Sequence, residues 1–332
     1  MRAVWYERKG PAEEVLTVGT MPDPAPGPGE VRVAIALSAV NPSDTKARGG
    51  WGGNIAMPFP RVIPHQDGAG TIDRVGEGVA SDRIGERVWV YMAQRGRPFG
   101  TAAQYCVVPS ARAIALPPEA DFAAGAAMGI PAMTAHRCIF SDGPVDGATV
   151  LVRGGAGAVG YYAIQWAKRG GAKRVIATVS REEQAGRARE AGADIVLDYK
   201  RDSVVDAIVA RCGAAAVDRI VEVDLGTNAD ADAVLLARNG VIAAYASDRN
   251  PAPAVPFLPL LMKDATIRFV LVYEMPEVAK AAAIRDITSA LAVNALRHQV
   301  AATLPFASIA QAHAAVEAGR SVGKILVAVD DT

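Results

Sequence analysis

The stretch Val150–Lys168, VLVRGGAGAVGYYAIQWAK, decides how the chain is read. Thr149–Arg153 is a short apolar run stopped by glycine, as a buried strand is, and Val159–Arg169 carries the helix signal that follows it. Between them Gly155, Gly157 and Gly160 form G-x-G-x-x-G, with Ala156, Ala158 and Val159 at the variable positions. Glycines are needed there because the backbone must turn tightly and approach a pyrophosphate, whose charge then rests on the helix N-terminus. A tight turn without a ligand is the alternative, and the strand–glycine–helix context argues against it.

Downstream, strands and helices alternate. Strands at Arg174–Val179, Ile195–Asp198, Arg219–Val223 and Val241–Tyr245 are separated by helices at Glu182–Ala191, Val204–Cys212 and Ala231–Arg238, and a last strand is expected at Thr266–Tyr273. This pattern predicts an α/β fold with a parallel, doubly wound sheet. Upstream, Glu30–Leu37, Arg87–Tyr91 and Gln104–Val108 read as short strands between turn-rich segments such as MPDPAPGPGE and RGGWGGN, predicting a compact, mainly β, barrel-like unit. Helices at Glu277–Leu296 and Ile309–Ala318 and a terminal strand KILVAV should return to that unit, since a strand without neighbours is not stable. The expected domains are 1–122 with 266–332, and 123–265 between them.

Composition narrows the function classes. The 332 residues exceed what one core organises, and 51% hydrophobic with 21% charged residues excludes wholesale disorder. Lys+Arg 35 balances Asp+Glu 35, so no global field attracts nucleic acid or an anionic membrane. Cys106, Cys138 and Cys212 are odd in number and far apart, which fits neither a disulfide framework nor a metal knuckle. Glu7, Arg8 and Lys9 fall where a signal peptide needs apolar residues, and the apolar stretch Ala123–Phe140 is broken by Gly129, Pro131, His136 and Arg137. A soluble, cytoplasmic protein without a membrane span is expected.

A site preferring NADH would carry Asp or Glu at the end of the second strand, about 20 residues beyond the glycines. Here that end reads IATVSREEQ, and no carboxylate is available to a ribose diol. Ser180 and Arg181 are candidates to hold a 2′-phosphate, the arginine through paired charge-assisted hydrogen bonds. Ser180 and Glu183 also form an S-x-x-E capping box, which explains the serine without a ligand. NADPH is the favoured cofactor.

NPSDTK (41–46), IPHQDGAG (63–70), GERVWV (85–90), GTAAQYCVVP (100–109), GIPAMTAHR (129–137), RGGAGAVG (153–160) and VGKILV (322–327) occur in one order over nearly the whole chain. In these motifs the sequence resembles the zinc-free quinone oxidoreductases, the zeta-crystallin-like branch of the medium-chain dehydrogenases/reductases. The resemblance implies a Rossmann domain and a GroES-like barrel domain, with hydride transfer from NADPH to a quinone. It also implies a homodimer, paired through the edge strand containing IRFVLVY (267–273). Zinc alcohol dehydrogenases of that superfamily place Cys, His and Cys where this chain has Asn41, Gln66 (with His65 one residue early) and Ile130. A lone imidazole cannot make a catalytic zinc site, so metal-free chemistry is expected.

Without a metal, hydride transfer needs an acceptor that is already electron-poor, such as a quinone or a C=C conjugated to a carbonyl. Asn41 is the first candidate to position the acceptor oxygen or the nicotinamide, against its reading as an Asn-Pro turn opener. Asp44 and Lys46 complete the candidate catalytic set. The family's tyrosines are replaced by Lys46 and Gly52, so Lys46 is a candidate donor to an enolate or hydroquinone anion, or else a solvated loop residue paired with Asp44. Trp51 and Tyr91 are candidate acceptor contacts. By resemblance, Thr134, Tyr199, Tyr245, Ser247, Val270, Val272 and Lys324 border the cofactor. Reduction of an enone, 2-alkenal or enoyl thioester would use the same machinery. An NADPH-binding protein with RNA-binding or structural duties is the reading of a different class, and the lack of a basic cluster argues against it.

Overall fold

The computed structural model describes residues 1–54 and 56–329. They form two compact units, Met1–Ile130 with Ile284 onward, and Pro131–Ala283. The sequence reading placed the divisions at 122/123 and 265/266. Both divisions in the structure fall inside helices, Phe122–Phe140 and Glu277–Leu291, where no turn or change of composition marks them.

The first unit is built on a seven-stranded sheet. Its centre is Glu30–Val40, longer than expected, which buries Val31, Val33 and Ile35 in the core. The terminal strand Lys324–Ala328 pairs antiparallel on one side of it, with Ile325 opposite Val40, and Asp67–Val75 pairs antiparallel on the other, with Asp67 opposite Ala39. This register brings Lys324, Asn41 and Asp67 to one end of three neighbouring strands. Val300–Pro305 pairs parallel with the terminal strand, so the tail does return to this unit.

The second unit is a six-stranded parallel sheet in the order Ile195–Asp198, Arg174–Val179, Thr149–Val152, Val217–Glu222, Leu236–Ala244, Thr266–Phe269. Sequence neighbours reverse direction across Thr149–Val152, the switch point at which doubly wound sheets bind ligands. The strands are buried on both faces, as their apolar runs require.

Two expectations need correction. The helix expected at Ala231–Arg238 is Leu225–Leu235, and it runs straight into the strand Leu236–Ala244. No turn residue marks that end because Lys263 closes it from a distance, its Nζ donating to Ala233 O at 2.6 Å, Val234 O at 3.1 Å and Leu236 O at 2.5 Å. The strand expected at Thr266–Tyr273 stops at Phe269, so Val270 lies just beyond it and Val272 opens a short 3₁₀ turn. The stretch Ala123–Phe140 belongs to a 19-residue helix, Phe122–Phe140, with Pro131 inside it. Among the described residues no helix is long and apolar enough to cross a membrane.

Replacing Lys263 by Met removes the donor that three carbonyls share at this helix end. The expected cost is about 1–3 kcal/mol, read as a lower denaturant midpoint with unchanged m-value. An unchanged midpoint contradicts the capping role.

Candidate active site

Asn41 ends the central strand of the first unit and starts the helix Pro42–Gly49. Its side chain is buried and its orientation is fixed by chemistry. Nδ2 donates to Asp67 Oδ2 at 2.8 Å, and Oδ1 accepts from the Lys324 ammonium, whose Nζ also lies 3.4 Å from Asp67 Oδ2. Burial pushes the Asp67 carboxyl up and the Lys324 ammonium down, and their mutual attraction opposes both shifts.

Asp67, the fifth residue of IPHQDGAG, is the hub. Its carboxylate reaches the helix Phe122–Phe140, where Ile130 N donates to both oxygens at 3.0 Å. Gly129 makes this possible, since a Cβ there would lie 2.3 Å from Asp67 Oδ1. The Gly-Ile-Pro of GIPAMTAHR is thus a notch for a carboxylate. Asn41 Nδ2 and Ile130 N thus meet at this carboxylate. Gln66 turns instead to Gln94, with Nε2 to Oε1 at 3.1 Å. Among the described residues no group of three or more His, Cys, Asp or Glu is placed to hold a metal.

A second buried network supports Asp67 from behind. Arg48 Nε donates to His313 Nδ1 at 3.3 Å, and His313 Nε2 meets His65 Nε2 at 2.9 Å. His65 Nδ1 meets Ser38 Oγ at 2.7 Å, Ser38 meets Thr101 Oγ1 at 2.8 Å, and Thr101 donates to Asp67 O at 2.6 Å. Arg48 only donates and the carbonyl only accepts, so every proton points one way, towards Asp67. Both rings must then be neutral. Burial ensures this, pushing His313 down to about 3 and His65 well below its ordinary value. The chain ends on a backbone carbonyl, so it orients Asp67 and does not conduct protons. His65 pays for the geometry with a left-handed backbone (φ 80°). His313 comes from the helix Ile309–Glu317, and three polar residues, His65–Gln66–Asp67, lead the apolar strand Asp67–Val75.

Asp44 caps the helix Pro42–Gly49, its Oδ2 accepting from Asn41 N at 2.8 Å. Lys46 lies on that helix, which corrects the loop reading, and its ammonium sits 5.3 Å from the centre of the Trp51 ring. Trp51 is 68% exposed, whereas Tyr91 is buried and donates to Ala111 O at 3.3 Å.

In the second unit the glycines behave as a phosphate cradle requires. A Cβ on Gly155 would lie 2.7 Å from Ala177 Cβ, and one on Gly160 would lie 2.2 Å from Gly154 O. The helix Ala158–Arg169 starts at Gly157 with no side-chain cap, leaving its first N–H groups for an anion. Arg153, buried just before the loop, pairs with Asp232 at 2.6 Å and approaches Glu222 at 3.7 Å, which anchors the loop to the sheet end. Burial and the neighbouring Asp232 push the Glu222 carboxyl up.

The capping box expected between Ser180 and Glu183 is absent. The helix Glu182–Glu190 has Arg181 as its N-cap, and Ser180 bonds to Gln184 instead, with both N and Oγ 2.9 Å from Oε1. Glu183 faces outward, 3.9 Å from Arg181 Nε. Tyr199 is 47% exposed at the end of the neighbouring strand. Tyr245 N donates to Glu222 O at 3.0 Å, and Ser247 Oγ accepts from Gly226 N at 2.9 Å, so both lie beyond the ends of adjacent strands. Thr134 is buried in the helix Phe122–Phe140. Val270 and Val272 are buried.

Burial, reinforced by the Asp67 charge, pushes the Asp44 carboxyl up to about 7. A folded-state value above the unfolded one gives a contribution fully present below about pH 4 and lost as pH rises through about 7. Asp44→Asn keeps the cap without the charge. Its stability relative to wild type should therefore rise by about 2–4 kcal/mol between pH 4 and pH 8 in urea melts. A difference independent of pH contradicts the assignment.

Residues 158–289 match the family model described as zinc-binding dehydrogenase, and residues 27–118 match that of the alcohol dehydrogenase GroES-like domain. The quinone oxidoreductase of Rattus norvegicus is 32% identical over 244 residues, covering 72% of this chain and 71% of its own. A 2-haloacrylate reductase from a Burkholderia species is 26% identical over 341 residues, 98% of each chain. Among solved structures, a mycobacterial protein complexed with NADPH superposes with a TM-score of 0.84 at 28% identity, over 99% of this chain and 100% of its own. With these matches, the chain belongs to the zinc-free quinone oxidoreductase branch of the medium-chain dehydrogenases/reductases.

Proposed function

We propose that this protein is a metal-independent reductase that uses NADPH to reduce a quinone. The observation that carries the reading is the buried Lys324 ammonium held on Asn41 and Asp67, a fixed positive charge in a protein whose glycine loop is shaped for a pyrophosphate. Bound NADPH supplies the hydride. The loop from Gly155 to Gly160 binds the pyrophosphate, and the strand end at Ser180 and Arg181, which lacks a carboxylate, receives the 2′-phosphate. Lys324 Nζ is the cation that offsets oxyanion charge as the acceptor is reduced, with Asn41 orienting the acceptor or the nicotinamide. Lys46 and Trp51 form the outer part of the acceptor site, where the open indole face suits a flat ring.

Reduction of a conjugated C=C is the second reading, favoured by the full-length match to a 2-haloacrylate reductase. The two share every residue above and differ only in the acceptor. The homodimer is also a proposal. The edge strand Thr266–Phe269 has an open side, and Phe269 and Leu271 are exposed beside it, so a second copy pairing along this edge would cover both. Cytoplasmic placement fits three free cysteines, two of which burial pushes up to about 12.

Turnover with NADPH or NADH against a panel of 1,4-quinones and short enals tests the reading. Wild type should prefer NADPH, Arg181→Ala should lose about ten-fold of that preference, and quinones should outpace enals. Lys324→Met should lower kcat by about 100-fold. Faster reduction of enals than quinones would transfer the proposal to the second reading. Equal use of both nucleotides would refute the phosphate assignment.

A further inference from the structure

We infer that Gln184 is the residue that reads the 2′-position of the dinucleotide, with Ser180 as its positioning residue. The inference rests on the NADPH reading above and names a group that neither the motif pattern nor the resemblance singled out.

The strand Arg174–Val179 delivers this corner to the edge of the sheet beside the glycine loop. Gly155 N donates to Thr178 O at 2.9 Å and Gly154 N to Thr178 Oγ1 at 3.2 Å, so the loop and the strand end are one hydrogen-bonded piece. Tyr199 N donates to Val179 O at 3.0 Å, which places the end of the next strand alongside. Gln184, in the first turn of the helix Glu182–Glu190, turns back over this edge until its Oε1 lies 2.9 Å from both Ser180 N and Ser180 Oγ.

Donor and acceptor chemistry fixes every atom of the arrangement. A backbone N–H only donates, so the amide atom facing Ser180 N is the oxygen. An amide oxygen only accepts, so the Ser180 hydroxyl donates to it as well. Ser180 has then committed both of its donors within the chain and offers only lone pairs outward. Gln184 keeps the two N–H donors of Nε2, which have no partner among the described residues. The outward amide donors at this corner therefore belong to Gln184. That reverses the expectation in which Ser180 itself donates to the phosphate.

The consequence is a selectivity rule with a sign. A carboxylate at this edge accepts from both ribose hydroxyls and repels a phosphate. The Gln184 amide does the opposite, since its N–H groups match phosphate oxygens and it carries no negative charge. Glu at position 184 would keep the length and still accept from Ser180 N and Oγ, yet would replace the outward donors with a negative oxygen. A single nearly isosteric change thus inverts the recognition without disturbing the packing.

Dissociation constants for NADPH and NADH, read from the fluorescence of the bound nucleotide, test this in wild type, Gln184→Glu, Gln184→Leu and Ser180→Ala. Titrations with 2′,5′-ADP and 5′-AMP isolate the adenosine half. Gln184→Glu should weaken NADPH by about 100-fold and leave NADH equal or tighter, so that the preference inverts. Gln184→Leu should weaken NADPH by about ten-fold with NADH unchanged, and Ser180→Ala should fall between wild type and Gln184→Leu because the backbone N–H still holds the amide. The same pattern should appear for 2′,5′-ADP against 5′-AMP. A wild-type preference for NADPH that survives both Gln184 substitutions within about three-fold overturns the inference and leaves the NADPH reading intact. Wild-type protein that binds neither nucleotide overturns that reading itself, and the inference with it.

Discussion

A lysine buried at the meeting of three strands cannot remain charged unless its surroundings are built around it. Lys324, Asn41 and Asp67 reach one another because the terminal strand and Asp67–Val75 flank Glu30–Val40 in a single register, with Ile325 opposite Val40 and Asp67 opposite Ala39. Desolvating an ion costs several kcal/mol even after relaxation, so each polar atom in the cluster needs a partner. Ile130 N, Asn41 Nδ2 and the Lys324 ammonium supply them for Asp67. Much else in the first unit follows from that need. Gly129 is a glycine so that the carboxylate can reach the helix backbone, and the relay from Arg48 through His313, His65, Ser38 and Thr101 holds the Asp67 carbonyl in place.

The second unit obeys a different constraint, the close packing of Gly155 against the Ala177 side chain and of Gly160 against the Gly154 carbonyl. No side chain fits there, which keeps the loop tight against the strand Arg174–Val179, to which Gly154 N and Gly155 N donate. This steric requirement is local, so the amino-acid sequence displays it openly: three glycines at fixed spacing between a strand and a helix. The alternation of strands and helices is legible for the same reason, because burial on both faces of a parallel sheet demands continuous apolar runs.

What escaped the sequence is long-range or depends on the identity of a single partner. Asp67 and Lys324 are 257 positions apart, and nothing in either neighbourhood announces the other. His65 and His313 are 248 apart, and a histidine in an amphipathic helix looks the same whether it faces solvent or a second imidazole. The helix end at Leu235 was misplaced because its cap, Lys263, arrives from outside the local window. At Ser180 the motif S-x-x-E was present but a competitor won, since Gln184, one residue beyond Glu183, is placed to accept both of the serine's donors. In each case local pattern was overruled by a contact that only the folded chain brings into range.

In the proposed reaction a side-chain cation, Lys324, rather than a metal ion, is the electrostatic partner of hydride transfer. The direct test is quinone turnover by chelator-dialysed protein of counted metal content, comparing NADPH with NADPH deuterated at the transferred position. Undiminished turnover at substoichiometric metal, slowed by a primary isotope effect with the deuterated cofactor, is the predicted result. Turnover that vanishes on chelation and returns with zinc would contradict it.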